Sequence, residues 1–214
     1  MLTKDAVHYY SIIRDKFKNS YLAEDANQII IGIDCDYVDS YEYNYKTLEL
    51  FYNNQKSIAP FAGLFGIFSY ETIHFFEKIE KKEKSQFEFP QFVFANAKAY
   101  LHYSKISKMY TFYGDEEKYY NFLENESFTE KPAENEIFYK IESNIDSLEF
   151  YKKLAKANPS PYMFHFPTKY GDVVGSSPEI LAEILFNNIY IAPIAGTRPR
   201  GKDANEDAFL AQDL

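Results

Sequence analysis

Six of the nine prolines in this 214-residue chain fall between Pro159 and Pro199. Proline holds φ at about −65° and removes a backbone donor, so this stretch excludes long helices and predicts strands joined by tight turns. "PYMFHF" (161–166) and "DVVGSS" (172–177) predict a strand pair around "PTKYG". "EILAEILF" (179–186) admits two readings. Ile180, Leu181, Ile184 and Leu185 have helical spacing, with Ser177-Pro178-Glu179 as a capping residue followed by a first-turn proline. The "NN" pair and the following "IYIAPIAG" predict a hairpin instead.

The N-terminal part has a different grain. Ala6, Val7, Tyr10, Ile13 and Phe17 predict a helix over 5–17, and "QIIIGID" (28–34) predicts a buried strand. "YKTLELFYNNQ" predicts a helix ended by its asparagines. In "FAGLFGIFSY" (61–70), Gly63 and Gly66 predict strand positions that another backbone approaches closely. The charge run at 77–88 reads as a solvated link. "QFVFANAKAYLHYSK" and "KMYTFYG" predict two or three strands of a meander, and "DEEKYYNFLENE" (115–126) a helix with acids in its first turn. "FTEKPAENEI" (128–137) marks the expected boundary between domains at 1–135 and 136–214.

Composition narrows the function. A net charge of −9 argues against a nucleic-acid partner. The single cysteine, Cys35, excludes an internal disulfide framework. The N-terminus lacks a signal-peptide core and no segment has the length and apolarity of a membrane span, so a cytoplasmic protein with no membrane partner is expected. A hydrophobic content of 46% supports a packed core.

Only three arginines occur, and two of them, Arg198 and Arg200, lie in "PIAGTRPRG" (193–201). Arginines in a proline- and glycine-constrained loop suit bidentate recognition of a carboxylate or phosphate. Asp203 and Glu206 then predict a capping-box helix start, and a basic loop entering a helix N-terminus is a candidate anion site. Pairing of these arginines with the chain's own acids is the plainer reading. Both stay open.

"GSSPEIL…IYIAPIAGTRPRGKDANED" closely resembles the chorismate-binding enzymes, specifically the large (component I) subunit of anthranilate synthase. "NPSPYMF" (158–164) is similar to the tryptophan feedback segment of that family. "YLAED" (21–25) stands in the place of its Leu-Leu-Glu-Ser motif, and "AGLFGIFSYETIHFFE" is similar to its N-terminal domain. The resemblance implies an α+β fold of two facing, mostly antiparallel β-sheets flanked by helices, which would make "EILAEILF" a strand. It also implies magnesium-dependent attack of ammonia on chorismate, with loss of pyruvate to give anthranilate.

By the same resemblance Glu179 is the general acid that protonates the departing ring hydroxyl, and Gly196 and Thr197 contact chorismate. Glu24, Asp25, Pro161, Tyr162 and Met163 are the implied site for L-tryptophan. The family has serine where this chain has Asp25, a carboxylate that would accept from an ammonium and repel a carboxylate. Ala195 stands where many aminodeoxychorismate synthases carry a nucleophilic lysine, and its methyl group cannot attack. Aminodeoxychorismate synthase component I and a non-catalytic amino-acid-binding module are the alternatives.

The family's metal glutamates are expected beyond Leu214, so no metal ligand is assigned to this chain. A family segment is missing around Phe150–Leu154 and the family's catalytic domain continues past Leu214 with the metal ligands and most of the pocket, so the chain alone is expected to be inactive. A glutamine amidotransferase subunit is the implied partner for glutamine-dependent activity, since Cys35 in "IDCDY" has no nucleophile's setting. Self-association through uncovered sheet edges is also expected.

Overall fold

The computed structural model describes residues 2–75, 77–78, 89–124, 145–178, 180, 182–185, 188–191 and 201–212. It divides into two compact units, Met1–Ser176 and Ser177–Leu214.

The first unit opens with helix α1 (Ala6–Lys16), whose start is fixed by the Asp5 carboxylate accepting from the His8 backbone N–H at 2.7 Å. Arg14 and Lys16 occupy its last turn, where the helix dipole favours cations. Strands β1 (Tyr21–Glu24), β2 (Gln28–Ile33) and β3 (Asp36–Asp39) follow, then helix α2 (Leu48–Lys56) and strand β4 (Phe65–Phe68). Next come β5 (Phe92–Asn96), β6 (Ala99–Ser104), β7 (Met109–Tyr113), the short helix α3 (Glu116–Tyr119) and helix α4 (Ser147–Ala157). Strands β8 (Tyr162–Phe166) and β9 (Val173–Ser177) complete the six-stranded sheet, in the order β7-β6-β2-β1-β8-β9. A three-stranded sheet has the order β3-β5-β4.

Alternation along each strand assigns the two faces of the larger sheet. Ile29, Ile31, Ile33, Leu22, Leu101 and Met163 pack with Tyr10 and Ile13 of α1 and Leu148 and Tyr151 of α4. The intervening Tyr21, Tyr100 and Phe166 pack against Val93 and Ala95 of β5, so the two sheets share a second core. Beyond it, Val38, Phe92 and Phe94 meet Leu48 and Phe51 of α2. The layers are helices, sheet, sheet and helix, as the resemblance implied.

Gly66 is a strand position of close backbone approach, as its sequence setting predicts: a Cβ there would lie 2.2 Å from the Val93 carbonyl oxygen. Gly63 differs. It lies outside β4, and a Cβ would meet only the Tyr52 ring, at 3.4 Å. The expected meander holds for two strands, β6 and β7, and does not extend to β5. β5 pairs with β3 and β4, whereas β6 pairs with β2 and β7, so the chain changes sheets at Ala97-Lys98. Lys98 marks the crossing. Its N–H donates to Ile33 O at 3.0 Å and its ammonium lies 3.2 Å from Asp36 and 3.5 Å from Asp34, which flank the other crossing.

The helix expected over 115–126 is instead the single turn of α3 followed by a 3-10 turn, Asn121–Glu124. β8 bonds to β1, which draws residues beyond 136 into the N-terminal sheet.

In the second unit, β10 (Ala182–Leu185) and β11 (Asn188–Ile191) form an antiparallel hairpin, so the strand reading of "EILAEILF" holds over its described residues. Helix α5 (Ala204–Gln212) follows. Asp203 accepts from the N–H groups of Asn205 and Glu206, both at 2.9 Å, as the capping-box reading requires. Its reciprocal arm reaches one residue further back, with Glu206 Oε2 accepting from Lys202 N at 2.7 Å. No helix among the described residues is long and apolar enough to cross a membrane.

Candidate functional site

The antiparallel pairing of β1 with β8 puts Glu24 directly opposite Met163, with Ala23 opposite Phe164 and Leu22 opposite His165. Two segments remote in sequence, each singled out by its own motif, thus meet at one end of a strand pair. Pro161 is exposed at the entry to β8, Tyr162 is half-buried and Met163 is buried in the helix-side core. Met163's side chain is therefore committed to packing.

Glu24 has two side-chain partners. Its Oε1 lies 2.7 Å from Lys105 Nζ, and its Oε2 accepts from the Tyr151 hydroxyl at 3.2 Å. Burial, with Glu24 nearby, pushes the Tyr151 phenol up, so it stays a donor at neutral pH. The Asp25 carboxylate closes the β1–β2 turn. Oδ1 accepts from Asn27 N at 2.7 Å and Gln28 N at 3.0 Å, and Oδ2 accepts from the Gln28 side-chain amide at 3.0 Å. A serine hydroxyl closes such turns in the same way, more weakly, which rationalises Asp25 where the family has serine.

Lys105 and Tyr151 were not singled out by the sequence. Lys105 sits in a polar turn and Tyr151 on the apolar stripe of a helix, and neither position carries a motif.

Next to this strand pair lies a buried polar cluster, also unmarked in the sequence. His165 is fully buried. Its Nδ1 is 2.5 Å from the Tyr10 hydroxyl and its Nε2 is 2.9 Å from Ser147 Oγ. The Tyr10 hydroxyl also donates to Ser20 O at 2.9 Å, so the hydroxyls and the ring nitrogens form one shared network in which the donor and acceptor roles follow the imidazole tautomer. Ser147 also bonds to Asp172, while Arg14 binds both oxygens of Asp146 at 2.9 and 3.0 Å. Desolvation, followed by the Arg14 charge, lowers His165 to about 4. It is neutral at pH 7. The cluster ties α1, α4 and β8 together beneath the site.

Glu179, Gly196 and Thr197 lie outside the described residues, as do Ala195, Arg198 and Arg200. The helix start expected as an anion site is already filled by its own acids. Asp203 and Glu206 cap it as above, and Asp207 Oδ1 accepts from Gly201 N at 2.8 Å. Among the described residues no group of three His, Cys, Asp or Glu side chains is placed to hold a metal ion. The implied magnesium therefore finds no fitting ligand set among them.

A family model described as chorismate binding enzyme matches residues 135–214. Over 92 residues the chain is 42% identical to "Anthranilate synthase component 1" of Methanothermobacter marburgensis, an alignment covering 40% of this chain and 20% of that protein. The proteins of the same name from Saccharolobus solfataricus and Pseudomonas aeruginosa are 47% identical over 79 residues and 45% identical over 76. These cover 36% and 35% of this chain and 18% and 15% of the relatives. The chain thus spans about a fifth or less of the length of the curated relatives it matches. Matched motifs, a matched family model and antiparallel sheets flanked by helices agree in making residues 135–214 similar to the chorismate-binding enzymes.

Proposed function

We propose that this chain is part of an anthranilate synthase large subunit, acting in tryptophan biosynthesis on chorismate and ammonia to give anthranilate and pyruvate. The observation that carries the reading is the similarity of its C-terminal part to relatives named anthranilate synthase component 1. In this reading Glu179 gives its proton to the ring hydroxyl, which leaves as water as ammonia adds and the ring double bonds shift; the ring then loses a proton and becomes aromatic while the enolpyruvyl group takes up a proton and departs as pyruvate. Gly196 lets a ring carboxylate approach the backbone and Thr197 donates a hydrogen bond to it. Ala195 cannot form a covalent adduct, which favours anthranilate over aminodeoxychorismate as the product.

The pairing of Glu24 with Met163 supports a proposed amino-acid site at one end of the β1–β8 strand pair, with L-tryptophan as its feedback ligand. Magnesium, a glutamine amidotransferase partner, self-association, a cytoplasmic location and the division of domains at 135/136 belong to the same proposal. So does the inactivity of these 214 residues alone.

The test is product analysis. The full gene product, given chorismate, ammonium and magnesium, should release 2-aminobenzoate. Release of 4-aminobenzoate would transfer the assignment to aminodeoxychorismate synthase, and release of neither would overturn the enzymatic reading.

A further inference from the structure

Lys105 has no counterpart among the residues that the family motifs assign. It follows β6, in the turn before β7, and its backbone N–H donates to Asn27 O at 2.8 Å. That bond clasps the β6–β7 turn onto the β1–β2 turn. From this anchor Nζ lies 2.7 Å from Glu24 Oε1 and donates to the Asp25 carbonyl at 2.5 Å.

One ammonium held by one carboxylate and one carbonyl is the arrangement that the α-ammonium of a free amino acid would need here. The second acid offers no substitute, because the Asp25 carboxylate is taken by two backbone N–H groups and the Gln28 amide. Glu24's other oxygen already receives the Tyr151 hydroxyl.

We infer that Lys105 is a tethered competitor for the ligand's ammonium at Glu24, so that a free amino acid binds this site only by displacing it. The inference rests on the proposed amino-acid site at the end of the β1–β8 strand pair. A group tethered within one fold competes at an effective concentration on the order of millimolar or above, so a free amino acid must displace it before it can bind. Lys105 and Glu24 are 31% and 22% exposed, so the pair is reachable and its replacement leaves the cores untouched.

The experiment is calorimetric titration of L-tryptophan into the wild-type chain, Lys105→Met and the double variant Lys105→Met/Glu24→Gln, with circular dichroism verifying the fold of each. Methionine keeps an unbranched stem and removes the ammonium. The expected result is binding about tenfold or more tighter in Lys105→Met than in wild type, with the gain lost in the double variant. Equal dissociation constants for wild type and Lys105→Met would overturn the competitor role while leaving the amino-acid site standing. A gain that survives Glu24→Gln would also overturn it. Absence of binding in both wild type and Lys105→Met at millimolar ligand would overturn the amino-acid site and the competitor together.

Discussion

Acidification from pH 7 to pH 5 should destabilise this protein chiefly through His165. The imidazole is fully buried between the Tyr10 and Ser147 hydroxyls. Burial and the neighbouring Arg14 charge bring it from an ordinary value of 6.5 to about 4. Between those values the unfolded chain binds a proton that the folded chain refuses, so stability falls as the pH falls. The full difference, about 2.5 pH units, corresponds to about 3 kcal/mol, reached below pH 4. At pH 5 the loss relative to pH 7 is about 2 kcal/mol. Asp39 and Asp146, both held below the ordinary carboxylate range, add their losses at lower pH. His102 is also lowered by burial and contributes with the same sign, so the assay needs a control. Urea unfolding at both pH values, on wild type and His165→Gln, supplies it. Glutamine keeps one donor and one acceptor but does not titrate, so its pH-dependent loss should be smaller by about 2 kcal/mol. Parallel losses in the two proteins would refute the reasoning, however much the substitution itself costs.

Three other outcomes follow from named contacts. Asp146→Ala removes the α4 cap, which accepts from Leu148 and Glu149, together with the Arg14 pair; a loss of about 1–2 kcal/mol is expected in urea unfolding. Gly66→Ala places a methyl group 2.2 Å from the Val93 carbonyl oxygen and 2.6 Å from the Phe94 Cα. Those are backbone atoms that cannot swing aside, so the β4–β5 pairing should weaken by about 1–3 kcal/mol, read as a lowered Tm. In the full gene product, Glu179→Gln should abolish 2-aminobenzoate formation while leaving chorismate affinity within about threefold, because a proton donor acts on the barrier and not on binding. A comparable loss of affinity, measured by equilibrium binding, would make Glu179 a binding residue.

Local physics was legible in the sequence wherever one segment decides its own conformation. The β-branched run at 28–33 became β2, the proline-rich stretch at 159–177 became short strands with a tight turn, and Asp203 capped its helix. The meander stopped at β6 and β7 because β5 and β6 are both apolar and differ only in which sheet receives them. A helix over 115–126 failed because its few apolar residues, among them Tyr119 and Leu123, fold under the core through two separate turns. At the candidate site, Glu24 and Met163 were reachable from their motifs. Lys105 was not, because an ion pair between a turn lysine and a strand glutamate leaves no mark on either local pattern.

The sequence by itself determined the likeness of residues 135–214 to the chorismate-binding enzymes, because motif identity and spacing are one-dimensional properties. Only the tertiary structure decided that Glu24 faces Met163 and already holds the ammonium of Lys105. It also decided that His165 is sealed between two hydroxyls. Which charges meet, and how dry they are when they do, is set by chain segments distant in sequence, and no local pattern encodes it.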